Sequence, residues 1–162
     1  QILISDSDNK LMNLKDKGLG SGQVFFMILN VANLRFSKQD DKYKRINTEK
    51  LLLIEEPECN LHPALQSKLA ELFYDLCYDM NNDRQSRTIS LIAETHSEYI
   101  IRKSQNIVKN QINAKDIFKT YYIKDEDNNE PESLDYNDNG TFKKSFGKGF
   151  FDESSNLTLD LF

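Results

Sequence analysis

Two glutamates, Glu55 and Glu56, stand directly after the aliphatic run Leu51–Ile54 in the stretch "LLLIEEPECNLHP". The aliphatic run predicts a short buried strand, and the two acids follow at its end. His96 lies just past a second apolar segment, 88–94 ("TISLIAE"). Because the carboxyl ends of parallel strands meet at one edge of a sheet, we expect these three side chains to lie near one another.

Paired acids at a strand end are the residue type that phosphoryl transfer uses. One carboxylate can hold Mg²⁺, directly or through water, and the other can orient or deprotonate an attacking water. The simpler alternative is that Glu55 and Glu56 only mark the exit of the strand into solvent. Glu94 is a candidate for positioning His96 or lining the site. His62, at a predicted helix start, is interpreted as structural.

The rest of the chain predicts alternating strands and helices. Apolar residues recur at helical spacing after Pro63, which stands where a helix would begin. They recur again after Ser97, a candidate helix cap. Residues 1–5 and 117–123 are typical of further strands. This order indicates an α/β fold, with a parallel sheet and helices packed on it.

Glycines and apolar residues follow one another near the start of the chain. Residues 18–23 ("GLGSGQ") predict a glycine-rich loop, and residues 24–34 are apolar on nearly every face, which predicts a buried helix. After residue 124 the sequence becomes acidic and rich in turn formers. We therefore predict a main unit over residues 1–124 and a small, acidic, β-rich appended element over residues 125–162.

Composition excludes several classes of protein. The 162 residues carry 38% apolar and 29% charged side chains, which is ordinary for a globular domain, and a net charge of −5 gives no general attraction to nucleic acid. No apolar run approaches the roughly 20 residues that span a bilayer. The two cysteines form no CxxC pair, so a reduced, cytoplasmic setting is expected. Gln1 begins a predicted strand without an initiator Met, which suggests a piece of a longer protein.

Three segments together resemble the soluble branch of ATP-binding-cassette (ABC)-type ATPases. "LLLIEEPECNLHP" resembles the Walker B segment and D-loop, "IAETHSEYII" resembles the H-loop, and "KDKGLGSGQVFFMIL" resembles the signature loop with its helix. The branch includes the overcoming-lysogenization-defect (OLD) nucleases, with RecF and SMC-like proteins further away. The segments occur in the family's order. The tail resembles a small uncharacterised domain that follows such ATPase cores.

The resemblance implies a role for each matched residue. Glu55 would organise Mg²⁺, Glu56 would be the general base for water, and His96 would contact the γ-phosphate of ATP. The loop 60–62 would communicate between two paired subunits. The signature residues, which would close over a nucleotide bound by a second copy of the ATPase domain, are Gly20, Ser21, Gly22 and Gln23.

The sequence has no GxxxxGK[ST] motif, so the phosphate-binding Walker A loop is missing from these residues. The expectation is therefore the C-terminal lobe of a P-loop ATPase whose intact form is a homodimer around Mg-ATP, with no membrane association. A non-catalytic interaction module is the main alternative. A metal-dependent nuclease using Asp125 and Asp127 is a third, and a DNA or protein partner stays open.

Overall fold

Helices and strands alternate over residues 19–110, as expected for an α/β protein. A computed structural model describes residues 2–5, 8–36, 50–78, 89–124 and 130–161. In chain order the elements are β1 (Leu3–Ser5), β2 (Leu11–Asn13), α1 (Leu19–Phe36), β3 (Lys50–Glu55), α2 (Pro63–Cys77), β4 (Ile89–Glu94), α3 (Glu98–Asn110), α4 (Ala114–Ile117), β5 (Tyr121–Tyr122), β6 (Glu132–Ser133) and α5 (Glu153–Leu159).

The strands β3 and β4 form a parallel pair, and this pair positions the predicted site. Their register places Leu52 opposite Leu91 and Glu55 opposite Glu94, so both strands reach the same carboxyl edge. The two predicted apolar strands and their parallel arrangement are therefore confirmed. The connection between them carries α2, as a parallel crossover requires.

Side chains of this pair alternate between a covered and an open face. Ile54 and Leu91 pack against the core, whereas Leu51, Leu53 and Ile92 are 57%, 67% and 59% exposed. The alternation follows from the two-residue period of a strand. The prediction that Leu51–Ile54 is covered on both faces is wrong for the described residues, which cover one face only.

Helices α2 and α3 begin at the residues that the sequence indicated. Pro63 is the first residue of α2, and His62 caps this helix because its Nδ1 accepts a hydrogen bond from the Ala64 N–H at 3.2 Å. Ser97 caps α3 because its Oγ accepts from the Ile100 N–H at 3.2 Å. His62 thus has the structural role predicted for it.

The apolar sides of α2 and α3 pack together and supply most of the core. Burying one such Leu, Ile or Phe side chain contributes roughly 1.5–3 kcal/mol to folding. The buried cluster comprises Leu61, Leu69, Ala70, Phe73, Tyr74, Ile100, Ile107, Val108, Ala114 and Tyr136.

The glycine-rich segment 18–23 belongs mostly to a helix and is not a loop. Gly18, at φ 91°, ends the preceding turn, and α1 begins at Leu19. The prediction of a helix after these glycines is confirmed, but its predicted burial is wrong along one side. Phe26 and Leu29 are 60% and 47% exposed in the described part of the chain.

The segment 117–123 was predicted to be one strand, and most of it does not form a strand. Ile117 ends α4, and the strand is limited to Tyr121–Tyr122. These two residues pair antiparallel with Glu132–Ser133, in a sheet separate from β3 and β4. Aromatic and β-branched residues raised the strand propensity of the segment, but propensity does not fix the pairing partner.

The C-terminal segment, defined here as residues 130–161, packs on α3. Leu134 and Tyr136 are buried, and four phenylalanines between 142 and 151 form edge and stacked ring contacts. The pairing of β5 with β6 crosses the predicted boundary at residue 124, and that boundary stays a prediction. None of the helices in the described segments has the length and apolar character needed to cross a membrane.

Candidate active site

The carboxyl edge of the parallel pair brings the predicted carboxylates together. Glu55 is the last residue of β3 and stands opposite Glu94. One residue further, the Glu56 N–H donates to the Glu94 carbonyl oxygen at 3.0 Å, which extends the ladder past the strand. Both Glu55 and Glu56 are exposed. They are therefore free to meet a ligand at this edge.

Glu56 has an unusual backbone conformation. Its φ of 42° lies in the left-handed region, which residues other than glycine rarely enter. Such a conformation costs roughly 1–3 kcal/mol and is found most often at functional sites. The turn that follows holds it in place, because the Cys59 N–H donates to the Glu56 carbonyl oxygen at 3.0 Å.

The loop from Glu56 to His62 is short and internally bonded. A second turn follows the first, with the Leu61 N–H donating to the Glu58 carbonyl oxygen at 3.0 Å. Asn60 also has a left-handed conformation, at φ 59°, which asparagine tolerates well. Pro57 is buried under this loop. The chain thus passes from β3 to the cap of α2 through two tight turns.

His96 reaches the same edge from the neighbouring strand. Its Nε2 lies 3.6 Å from Oε1 of Glu94, and both side chains are more than half exposed. At this separation the contact is too long for a hydrogen bond. The backbone N–H of His96 makes a stronger contact, donating to Oε1 of Glu58 at 2.7 Å. The structure therefore places His96 beside the loop that carries Glu56.

The glycine-containing start of α1 lies against this loop. A side chain at Gly20 would overlap the carbonyl oxygen of Asn60 and approach Leu61 Cδ2 to 2.9 Å. Asn60 Nδ2 also donates to Oε1 of Gln23 at 3.4 Å. Gly20 is thus required for a close contact within the chain, and Gln23 bonds the same loop.

Ser21 and Gly22 have different surroundings. The Ser21 hydroxyl donates to the Lys17 carbonyl oxygen at 3.4 Å, a long bond that leaves the oxygen able to accept another hydrogen bond. An added side chain at Gly22 would meet nothing within 4 Å. The nucleotide-binding role expected for Gly20, Ser21, Gly22 and Gln23 stays a prediction. Of the two glycines, Gly20 and Gly22, only Gly22 has room for a side chain.

Two residues that sequence reasoning did not assign to the site connect its parts. Glu58 bonds the His96 backbone, and Gln66 donates from Nε2 to the Leu61 carbonyl oxygen at 3.0 Å while its Oε1 accepts from the Ser97 hydroxyl at 2.6 Å. Glu58 is the third glutamate of "EEPE", so its place in an acid-rich stretch was a signal. Gln66 lies within the helix and gave no signal of its own.

The edge fits the way in which proteins usually hold Mg²⁺ beside phosphates. Such sites use one or two carboxylates together with substrate oxygens and water, rather than a complete protein cage. Glu55 and Glu56 are adjacent carboxylates, and both are exposed, so the carboxylate edge is an open rim. A cavity of about 310 Å³ lies elsewhere, beside Glu71 and Lys103.

A model of the AAA ATPase domain family matches residues 1–101, which is more than half of the chain. The chain belongs to the AAA ATPase domain family. The match supports an ATPase-like function and a P-loop NTPase fold, and the family in general uses nucleotide and Mg²⁺. The part matched to the AAA ATPase domain includes Glu55, Glu56, His96 and the segment 20–23.

No curated protein and no solved structure shows a significant match to the chain. The family match ends at residue 101, so the C-terminal segment has no assigned relative. The acids of the nuclease alternative, Asp125 and Asp127, lie outside the described residues. Lys38, Lys42, Lys44 and Arg45, whose positive charge could contact a nucleic-acid backbone, also lie outside the described residues.

Proposed function

We propose that this chain is the catalytic C-terminal part of an ABC-type ATPase of the OLD-like branch, which hydrolyses ATP between two paired copies. The observation that carries the proposal is the convergence of Glu55, Glu56 and His96 at one edge of a parallel strand pair. The two acids follow β3 and the histidine follows β4, so the three groups surround a single open rim.

Each side chain has a chemical role at this rim. Glu55 would hold Mg²⁺, which supplies charge neutralisation at the phosphate groups when bound. Glu56 orients the attacking water and accepts its proton, and its left-handed backbone fixes the carboxylate at the loop's first turn. His96 donates a hydrogen bond to the terminal phosphate. The expected setting is the cytoplasm.

The remaining part of the site must come from outside these 162 residues. Without a Walker A loop, the chain lacks the lysine and backbone amides that bind ATP phosphates. The open face of the β3–β4 pair, with Leu51, Leu53 and Ile92 exposed, offers an apolar surface for the polypeptide that carries this loop. Ser21 and Gly22, both partly exposed at the start of α1, would face the nucleotide of the paired copy.

Glu56→Gln in the native protein tests the proposal. The amide keeps the size of the side chain but cannot accept a proton, so kcat for ATP hydrolysis should fall by about 10²–10⁴. ATP binding should persist, and the variant should accumulate as a nucleotide-bound dimer in size-exclusion chromatography. Glu98→Gln is the matched control, because Glu98 is a glutamate in the first turn of α3 that pairs with Arg102.

Three outcomes separate the alternatives. Loss of turnover in Glu56→Gln, but not in Glu98→Gln, supports the role of Glu56. Equal turnover in Glu56→Gln and the unmodified protein would exclude it as the base. Absence of both ATP binding and hydrolysis in the unmodified protein would favour a non-catalytic interaction module.

A further inference from the structure

A single carboxylate links the two loops that carry the proposed catalytic groups. Oε1 of Glu58 accepts the backbone N–H of His96 at 2.7 Å, across 38 positions of sequence. Hydrogen bonds to an ionised carboxylate are shorter and roughly twice as strong as those between neutral groups. The loop after β3 therefore holds the loop after β4 at the residue that bears the imidazole.

The backbone on the other side of His96 is also fixed. The Ser97 hydroxyl donates to Gln66, whose amide donates in turn to Leu61. The Ser97 N–H donates to Thr95 Oγ1 at 3.0 Å. By contrast, the imidazole of His96 is 76% exposed, and its one polar contact among the described residues is the long one to Glu94. Its position therefore depends on where the backbone is held.

The second carboxylate oxygen of Glu58 indicates that a glutamate at this position does more than stabilise the fold. Oε2 is buried and has no hydrogen-bond partner among the described residues. A buried acceptor without a partner costs free energy relative to an apolar group of the same shape. An apolar side chain would fill this place at lower cost, so the carboxylate is explained by what Oε1 holds.

We propose that Glu58 is a positioning residue for His96, fixing its backbone so that the imidazole lies at the rim formed by Glu55 and Glu56. The inference rests on the proposed ATPase function for its catalytic consequence. The hydrogen bond itself can be tested without any catalytic assay. Glu58 touches neither water nor phosphate in this role and acts only through His96.

Two substitutions of the same length separate positioning from packing. Glu58→Met keeps the volume, removes the acceptor for His96, and puts an apolar group where Oε2 is buried. It should leave Tm unchanged or higher while kcat falls on the order of 10- to 100-fold, as when a supporting group of a catalytic residue is lost. Glu58→Gln keeps the acceptor but buries an amide N–H₂ in place of Oε2. It should retain most of the turnover with a lower Tm.

Hydrogen exchange gives a readout that does not depend on activity. The His96 amide should exchange faster in Glu58→Met than in Glu58→Gln or the unmodified protein, while amides within β4 keep their protection. Glu98→Gln, which changes a neighbouring glutamate, should leave the His96 amide unchanged. Equal exchange of this amide in all four proteins would overturn the proposal, whether or not the protein hydrolyses ATP.

A double-mutant cycle decides whether the catalytic effect passes through the histidine. In a His96→Ala background, Glu58→Met should cause no further loss of kcat, because the group that it positions is gone. An equal loss in both backgrounds would show that Glu58 acts by another route and overturn the proposal. If the unmodified protein has no ATPase activity, the proposed function fails, and the exchange experiment still tests the backbone contact.

Discussion

The carboxyl edge of β3–β4 differs from the seam between α3 and the C-terminal segment in how its polar groups are hydrogen-bonded. At the edge, Glu55 and Glu56 are exposed, and one oxygen of Glu58 is buried without a partner among the described residues. At the seam, the Tyr136 hydroxyl lies 2.8 Å from both Ser104 Oγ and Thr120 Oγ1. The Tyr136 hydroxyl at the seam therefore has hydrogen-bond partners within the chain, whereas the exposed carboxylates of the edge can bind a ligand.

The same contrast holds for the backbone. At the edge, the left-handed residue is Glu56, a glutamate that bears the strain of this conformation. At the seam it is Gly140, at φ 79°, packed against the Gln105 carbonyl oxygen. Glycine adopts this conformation without a steric penalty. Under the proposed function, the seam serves stability and the edge serves chemistry, and α3, which begins two residues after His96, joins the two regions.

Gly140→Ala should destabilise the seam and give the largest loss of stability among these substitutions. An added methyl group would overlap the Gln105 carbonyl oxygen in a conformation that alanine disfavours, so the free energy of unfolding should fall by about 3 kcal/mol or more. Urea denaturation measures the change. Gly149→Ala is the control, since φ is 89° but nothing lies within 4 Å, and about 1 kcal/mol is expected from the backbone alone. Equal losses would refute a packing role for Gly140.

Gly20→Ala and Gly22→Ala test the same contrast at the start of α1, where one glycine is in close contact with the chain and the other is not. Gly20→Ala should lower the free energy of unfolding by about 2 kcal/mol, because the methyl group overlaps Asn60. Gly22→Ala should raise it by about 0.5–1 kcal/mol, because alanine favours a helix and the space is open. Thermal or urea unfolding of each variant measures both changes.

Under the proposed function, Gly22→Ala should nevertheless lower turnover, since a side chain there would obstruct the nucleotide of the paired copy. ATP hydrolysis by the native protein tests this. A variant that is more stable and fully active would remove Gly22 from the nucleotide site. A destabilised Gly22→Ala would instead contradict the open surroundings described here.

Tyr136→Phe should weaken the seam by about 1 kcal/mol. Thr120 loses a partner, whereas the Ser104 hydroxyl keeps its donation to the Ile101 carbonyl oxygen at 2.7 Å. Equilibrium unfolding gives the loss. Tyr121→Phe, at a ring 62% exposed, should change the stability by less than about 0.5 kcal/mol. If both variants behave alike, the buried hydroxyl does not contribute to the seam.

Much of the edge could be predicted because its signals are local. Aliphatic runs followed by acids and a histidine gave β3, β4 and the grouping of Glu55, Glu56 and His96. Pro63 and Ser97 marked the starts of two helices by cap chemistry that acts within a few residues. The parallel pairing followed from the order of the elements.

The parts that failed depend on contacts between distant residues. The segment 117–123 had strand propensity, but it pairs with β6 rather than joining the sheet of β3 and β4, and propensity does not encode partners. Gly20 lies against Asn60, 40 positions away, a contact that the sequence did not indicate. The partner of Glu58 is 38 positions away. Such contacts become visible only in the fold.

The smallest expected effect is a pH dependence of the free energy of unfolding, which arises at Glu132 in the C-terminal segment. Two lysines hold the pKa of Glu132 at about 2, below the usual 4.5, through hydrogen bonds from Lys124 first and then from Lys144. Because the pKa is lower in the folded state, this stabilisation is present above pH 4.5 and is lost as the pH falls toward 2. Both lysine side chains are largely exposed, so salt screens the interaction and the contribution is small.

Glu132→Gln should therefore lower the free energy of unfolding slightly at pH 7, and this difference should shrink as the pH falls from 4.5 through 2. The difference at pH 7 should shrink further in 1 M salt, where the Debye length is about 3 Å. Urea denaturation from pH 2 to pH 7 measures this. A difference between the two proteins that is constant across that range would mean that Glu132 stabilises by packing and not by its charge. The carboxyl edge should be unaffected, because β6 pairs with β5 in a sheet separate from β3 and β4.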